Sequence, residues 1–213
     1  MKDYKNYGHV VGTEVNKWHD LFFKNYDVKN KKILDIACSA GAFASAVKDR
    51  GGICIGLDVN PKYKEYFDKQ GMSFLLGTVE ENKQKIIKLQ PDIITSFELI
   101  EHLYDSNPLI NECFDILKTI NKKGSIFLST PNAFNIKRCF YFIFKQKLND
   151  PLLDPVILKG DAEHIRMYSH DMVKNLLKNN GFKVEKKDVL SGKKIPLYRY
   201  FSNSILIRGK LPL

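Results

Sequence analysis

Residues 33–44 read ILDIACSAGAFA, and the reading of this stretch decides the fold. The apolar run KKILDIA (31–37) has the length and composition of a buried strand, a loop of small residues follows, and GAFASAVKDR (41–50) carries on as a helix. Strand, tight loop and helix in that order build the ligand crevice of open α/β sheets. The loop keeps a single glycine, Gly41, where a dinucleotide site uses three so that a pyrophosphate can approach the backbone. No P-loop lysine is present either, so a cofactor without phosphates fits best. Alanine and serine at 37 and 39 are compatible with such a loop as long as the backbone keeps φ negative there.

Outward from this unit the apolar blocks alternate with helical ones. GGICIGLD (51–58) reads as a second strand, and NPKYKEYFDKQG (60–71) as a helix with Asn60 as N-cap, Pro61 at its first position and Gly71 at its end. MSFLLG (72–77) is a short third strand, VEENKQKIIKLQ (79–90) a helix, PDIITSFE (91–98) a fourth strand, about 107–121 a helix and SIFLST (125–130) a fifth strand. This rhythm predicts a parallel sheet covered on both faces. After Pro131 it breaks. The stretch 133–164 is aromatic and basic, then proline-rich, and reads as an insertion over the active face. A helix at 169–181, capped by Ser169 and Gly181, precedes two final strands, FKVEKKDVL (182–190) and FSNSILIRG (201–209).

At 213 residues and 44% hydrophobic content, the expectation is one domain over 1–213 with the insertion at about 133–165. No stretch is apolar enough to span a membrane and the first residues show no signal-peptide pattern, which with four scattered cysteines and no C-x-x-C pair points to a cytoplasmic protein without a cysteine zinc site. The net charge of +10 raises the question of nucleic acid, and +8 of it lies in 166–213. Yet lysines outnumber arginines 29 to 5, a bias that coding-DNA composition explains without a binding surface.

Asp58 closes the second strand a little over twenty residues after the first strand's Asp35. A carboxylate at that strand end can accept hydrogen bonds from both hydroxyls of an adenosine ribose, although aspartate is also a common helix cap. Beside the loop at 37–41 the binding role is favoured, and S-adenosylmethionine (SAM) fits a loop that lacks an anion cradle.

The chain here resembles the class I SAM-dependent methyltransferases, in the group that includes the ubiquinone-biosynthesis O-methyltransferases. LDIACSAGAF (34–43) is similar to that family's LDxGCGxGxF, which implies that Asp35, Ala37, Ser39 and Gly41 take the methionine-binding positions. GLDVN (56–60) aligns with the ribose-binding segment, giving Asp58 and Val59, and GTVEEN (77–82) with the adenine-binding one, giving Thr78 and Val79 where the family usually has an aspartate. FELIEHL (97–103), with Phe97 on the cofactor wall, SIFLSTPN (125–132) and EHIRMYSHDMVKNLLKNNGFKV (163–184) follow in order. The resemblance implies a Rossmann-like, doubly wound sheet of seven strands in the order 3-2-1-4-5-7-6, the last antiparallel. It also implies SAM as cofactor, and a helix around Trp18 covering it.

The acceptor side is less sharply written. Candidate bases are Glu98, Glu101, His102, His164 and His170, and E-x-x-E-H (98–102) places Glu98, Glu101 and His102 on one face if that turn is helical. The pattern resembles metal-using branches of the family, the ubiquinone-type enzymes and the small-RNA 2′-O-methyltransferases, in which Glu98, Glu101, His102 and His164 would hold a divalent cation. It is also common in methyltransferases that bind no metal, and the metal-free reading is preferred, with Glu98, His102 and His164 as catalytic candidates. NIKRCFYFIFKQKL (135–148) is basic at both ends and apolar between. It suits a lid lining the acceptor pocket or, less directly, contact with a membrane or lipid-linked substrate. The favoured partner is a small molecule with a hydroxyl, such as a sugar or glycan precursor or a quinol. Metal-dependent RNA 2′-O-methylation is the alternative, though no RNA-binding module is recognisable. A catalytically silent SAM-fold binding protein is the reading from another class.

Overall fold

The structure, a computed structural model, describes residues 13–120, 123–145, 164–190 and 198–212. The strands are β1 (Lys32–Ile36), β2 (Ile53–Asp58), β3 (Ser73–Leu76), β4 (Ile93–Phe97), β5 (Ser125–Pro131) and β6 (Ser204–Lys210). They form one sheet in the order β3-β2-β1-β4-β5-β6, parallel except for β6, which runs antiparallel to β5. Of the seven strands expected, the sixth, over 182–190, is not formed. Over 182–190 the backbone pairs with β6 as isolated bridges at Lys183–Lys210 and Val189–Ile207 instead of a continuous ladder, because a 3-10 turn (Lys186–Asp188) interrupts it. Its sequence EKKD does not alternate, and the buried Asp188 turns to meet Arg208 at 2.8 Å and Lys210 at 3.0 Å. The C-terminal strand therefore takes the predicted antiparallel place beside β5, in a six-stranded sheet.

The helices are α1 (Lys17–Asn25), α2 (Ala42–Asp49), α3 (Lys64–Lys69), α4 (Val79–Leu89), α5 (Asn107–Ile120), α6 (Ile136–Lys145), α7 (His170–Asn179) and the short α8 (Tyr198–Phe201). Alternate residues of the strands feed two cores, as a period of two requires. On one face Leu34, Ile94, Ile126 and Ile207 join residues of α4, α5 and α7, including Ile86, Ile116 and Val173. On the other, Ile33, Ile93, Phe127 and Leu206 join Phe22 of α1, Phe43 and Val47 of α2, and Phe67 of α3. Every residue of β4 is buried, as expected for a central strand of a covered sheet.

Local signals fix most element ends. Asn60 accepts a hydrogen bond from the Lys62 N–H at 3.0 Å, and Pro61 begins the 3-10 turn that leads into α3. Thr78 and Glu81 form a reciprocal capping box at the start of α4, with the Thr78 N–H 2.7 Å from Oε2 and Oγ1 accepting from the Glu81 N–H at 3.2 Å. Ser169 caps α7, with the Met172 N–H donating to its Oγ at 3.2 Å. No helix among the described residues is long and apolar enough to cross a membrane.

Candidate functional site

The C-terminal ends of β1, β2 and β4 meet at one edge of the sheet, where the β1–α2 loop turns. Three of its residues have left-handed backbones: Ala37 (φ 59°), Ser39 (φ 50°) and Gly41 (φ 85°). This overturns the expectation that alanine and serine are accommodated at negative φ. They are held in a region where a Cβ costs about 1–2 kcal/mol per residue. The loop is fastened: Ala37 and Cys38 donate backbone hydrogen bonds to the Leu57 carbonyl at 2.8 and 3.3 Å, and Gly41 donates to the Cys38 carbonyl at 3.1 Å. Gly41 alone could not be replaced by a small residue, since a Cβ there would stand 2.8 Å from the buried Phe67 ring.

Asp58, at the end of β2, reaches this loop. Its Oδ2 accepts the Ser39 N–H at 3.1 Å and its Oδ1 accepts the Asn60 N–H at 2.9 Å. With the Val59 N–H also donating to it, the carboxylate still keeps acceptor capacity for a further donor such as a ribose hydroxyl. Burial raises the Asp58 pKa, partly offset by the backbone hydrogen bonds from Asn60, Ser39 and Val59. Asp35 lies deeper, accepting from the Thr95 hydroxyl at 2.7 Å. Burial pushes its pKa up to about 7 against the pull of Thr95, and the Asp58 charge adds to the rise.

α1 packs over the same edge. His19 lies with its ring centroid 5.1 Å from that of Phe43 and 5.3 Å from that of Phe97, the last residue of β4. Burial lowers its pKa to about 4, with the neighbouring Asp20 opposing, so the ring is neutral at pH 7. Its Nδ1 accepts from the Asn16 N–H at 3.3 Å while Asn16 Oδ1 accepts from the His19 N–H, a closed capping box. The helix expected around Trp18 is thus formed, and its inward neighbour His19 makes the contact with Phe97. Farther along the edge Thr78 is exposed with its hydroxyl in the α4 cap, whereas the Val79 side chain is buried in the core, so only its backbone is available to a ligand.

After β4 the chain enters a left-handed residue, Glu98 (φ 51°), and then a 3-10 turn (Ile100–His102). This separates Glu98 from Glu101 and His102, contrary to a shared helical face. The Glu98 carboxylate is held toward β5, accepting from the Ser129 hydroxyl at 2.7 Å. Glu101 is buried and accepts from the Thr130 hydroxyl at 2.8 Å. His164 arrives from the far side of the insertion. The Ile165 and Arg166 N–H groups donate to the Glu101 carbonyl at 3.0 and 3.1 Å, and the Arg166 guanidinium clasps the Leu103 and Tyr104 carbonyls. The His102 and His164 rings lie edge to face with centroids 4.8 Å apart. One ligand atom each from Glu101, His102 and His164 fall within 4.8 Å of one another. His170, buried at the start of α7, is not in this cluster.

Sequence reasoning passed over the groups that hold these side chains: His19, Thr95, Ser129 and Thr130. The signal available was polarity out of place, hydroxyls at the C-terminal ends of strands that are otherwise apolar. Part of the predicted insertion, 146–163, lies outside the described residues.

Residues 7–187 match the family model described as a methyltransferase domain. The chain is 27% identical over 119 residues to the ubiquinone biosynthesis O-methyltransferase of Vibrio vulnificus, covering 53% of this chain and 48% of that protein. It is 33% identical over 111 residues to the Histophilus somni protein of the same name, covering 48% and 45%. The chain thus spans about half the length of the curated relatives it matches. Among solved structures, a SAM-dependent methyltransferase from Archaeoglobus fulgidus superposes with a TM-score of 0.62 at 16% identity, over 91% of this chain and 92% of that one. The magnesium protoporphyrin IX methyltransferase of Synechocystis with bound S-adenosylhomocysteine gives 0.57 at 12% identity, over 92% and 80%. Strand order, cofactor-edge geometry and family match agree, and the chain belongs to the class I SAM-dependent methyltransferase family through its methyltransferase domain.

Proposed function

We propose that this chain transfers a methyl group from SAM to a hydroxyl of a small molecule, a sugar or glycan precursor or a quinol-like acceptor. The observation that carries the reading is the convergence of Glu101, His102 and His164 beyond the end of β4, on the same sheet edge as the 37–41 loop and Asp58. In this reading the loop backbone from Ala37 to Gly41 holds the methionine part with Asp35 beneath it. Asp58 and the adjoining Val59 take the ribose, the Thr78–Val79 backbone the adenine, and Phe97 forms the wall between cofactor and acceptor.

Methyl transfer from a sulfonium is an in-line displacement, and alignment supplies much of the acceleration. The acceptor oxygen forms a bond to the methyl carbon as the carbon–sulfur bond breaks, and the sulfur keeps the electron pair. The hydroxyl proton goes to His102 or His164, with Glu101 orienting the pair from its fixed position on Thr130. Glu98, held by Ser129, supports the β4–β5 edge and is not the base in this reading. The names of the curated relatives support a hydroxyl acceptor.

A second reading is favoured by the donor set itself. One carboxylate and two imidazoles within 4.8 Å suit a divalent transition metal. Glu101, His102 and His164 would hold the ion, and it would supply Lewis-acid lowering of the acceptor hydroxyl's pKa. Transfer of labelled methyl from SAM to a panel of catechols, quinols and sugars, with and without chelator, tests both. Labelled ether product supports the primary reading, and its loss in chelator with recovery on adding Mg²⁺ or Mn²⁺ supports the metal. Labelling confined to nitrogen or carboxylate acceptors would refute the hydroxyl assignment.

A further inference from the structure

An amphipathic helix normally buries its apolar stripe, and α6 does not. Ile136, Cys139, Phe140, Ile143 and Phe144 recur at i, i+3, i+4, i+7 and i+8, which is one face of a helix. None of the ten residues of α6 is buried. Ile143 is 65% exposed and Phe144 67%, and Phe142, off the stripe on the side of Arg138, is 62% exposed. Of the three cations of the helix, Arg138 and Lys145 fall on the opposite face and Lys137 flanks the stripe beside Phe144.

The helix is nevertheless firmly based. Asn135 caps it, accepting from the Arg138 N–H at 2.9 Å, and the buried Asn132 donates to the Ser202 carbonyl at 2.9 Å. Asn132 also bridges to Tyr168, four residues from His164. The helix rises where β5 ends, on the sheet edge that carries the Glu101–His102–His164 cluster. α8 packs against it and adds the 58% exposed Phe201.

We infer that α6 is a docking surface for an anionic lipid bilayer. Its aromatic stripe would enter the headgroup–acyl boundary, and Lys137, Arg138 and Lys145 would lie among the phosphates. Charge complementarity selects this occupant. An apolar stripe backed by cations is what an in-plane interfacial helix presents, whereas an apolar protein groove has no use for the basic back. The ten residues of α6 are too few to span a bilayer, so the contact is peripheral. Docked in this way, the chain would turn its acceptor edge toward the membrane surface.

Cosedimentation of the full chain with phosphatidylcholine vesicles, with and without phosphatidylglycerol, tests this. The expected result is partitioning onto the anionic vesicles that weakens as salt is raised. The Ile143→Asp/Phe144→Asp variant should lower it at least about tenfold, with SAM affinity and helical circular dichroism retained. Lys137→Glu/Arg138→Glu should lower binding to anionic vesicles while leaving weak binding to neutral ones. The inference is overturned if the wild type stays in solution with anionic vesicles at low salt. It is equally overturned if the aspartate variant binds like wild type, which would move the contact to the basic C-terminal part. Sedimentation equilibrium showing a wild-type dimer that the aspartate variant splits would assign the stripe to a second copy instead.

Discussion

The two ends of the sheet are built differently. From β1 to β4 each loop at the active edge is closed by backbone hydrogen bonds, and the two aspartates there answer to partners: Asp58 to Ser39 and Asn60, Asp35 to Thr95. Beyond β5 the chain carries an apolar helix into solvent, then places His164 beside His102 and rejoins the core through α7 and β6. In the proposed reading the first region holds an invariant cofactor, so its geometry can be rigid, and the second meets the acceptor, with His164 and α6 held by a few polar anchors. Cofactor binding and turnover should therefore respond to different substitutions.

The sharpest separation is expected at the histidine pair. His164→Ala or His102→Ala should lower turnover by about 10²–10⁴-fold, the range for removing a positioned acid–base group, while the calorimetric Kd for SAM stays within about twofold. Equal losses in both would merge the two regions. Next comes Asp58→Ala, which removes the acceptor of the Ser39 and Asn60 amides and the one proposed for the ribose. SAM affinity should fall about 100-fold, or roughly 3 kcal/mol, with a lower Tm because two loop amides lose their acceptor. Asp58→Ala binding SAM as the wild type does would place the ribose elsewhere.

Asp35 and His19 give the cofactor region a pH signature. Asp35 titrates near 7 in the folded protein against an ordinary 3.8, so its contribution is fully present below pH 3.8 and is lost as pH rises to about 7. His19 titrates near 4 against 6.5, so its contribution is present above pH 6.5 and is lost as pH falls toward 4. The two oppose each other between about 4 and 6.5. Asp35→Asn, which can still accept from Thr95, should gain stability relative to wild type between pH 5 and pH 8 by on the order of 1–3 kcal/mol. Chemical denaturation at the two pH values measures it, and parallel curves would mean Asp35 is ionised throughout.

The smallest effect is expected in the loop. Ala37→Gly relieves a φ of 59° but loosens the unfolded chain, and the net should be about 0.5–1 kcal/mol of added stability, a rise of roughly 1–4 °C in Tm. SAM affinity should stay within about 1 kcal/mol. A lower Tm would show that the Cβ of Ala37 makes packing contacts worth more than the strain.

The sequence-to-structure comparison follows the same division. The order of strands and helices through β5 was legible because buried parallel strands are continuous apolar runs and the helices carry their own caps, Asn60, Thr78 and Ser169. The segment 182–190 looked like a strand by its flanking Phe182, Val184, Val189 and Leu190, but the charged EKKD between them formed a turn around Asp188. Glu98 was misplaced for a related reason. E-x-x-E-H reads as helical spacing, and nothing in the sequence marks the left-handed residue that sends Glu98 to Ser129. The pairing of His102 with His164 crosses sixty residues of chain and depends on backbone hydrogen bonds to Glu101, which no periodicity announces. The stretch at 33–44 was read correctly as strand, turn and helix and wrongly as relaxed, since the absence of glycine at 37 and 39 left the turn in place and added strain.

The central claim is that the edge formed by the 37–41 loop and Asp58 holds SAM. Isothermal titration of the wild-type chain with SAM tests it most directly, with NAD as the comparison ligand. The expected result is saturable one-site binding of SAM in the micromolar range, corresponding to about −7 to −8 kcal/mol, and none of NAD. No heat of binding at millimolar SAM, or binding of NAD in its place, would contradict the account.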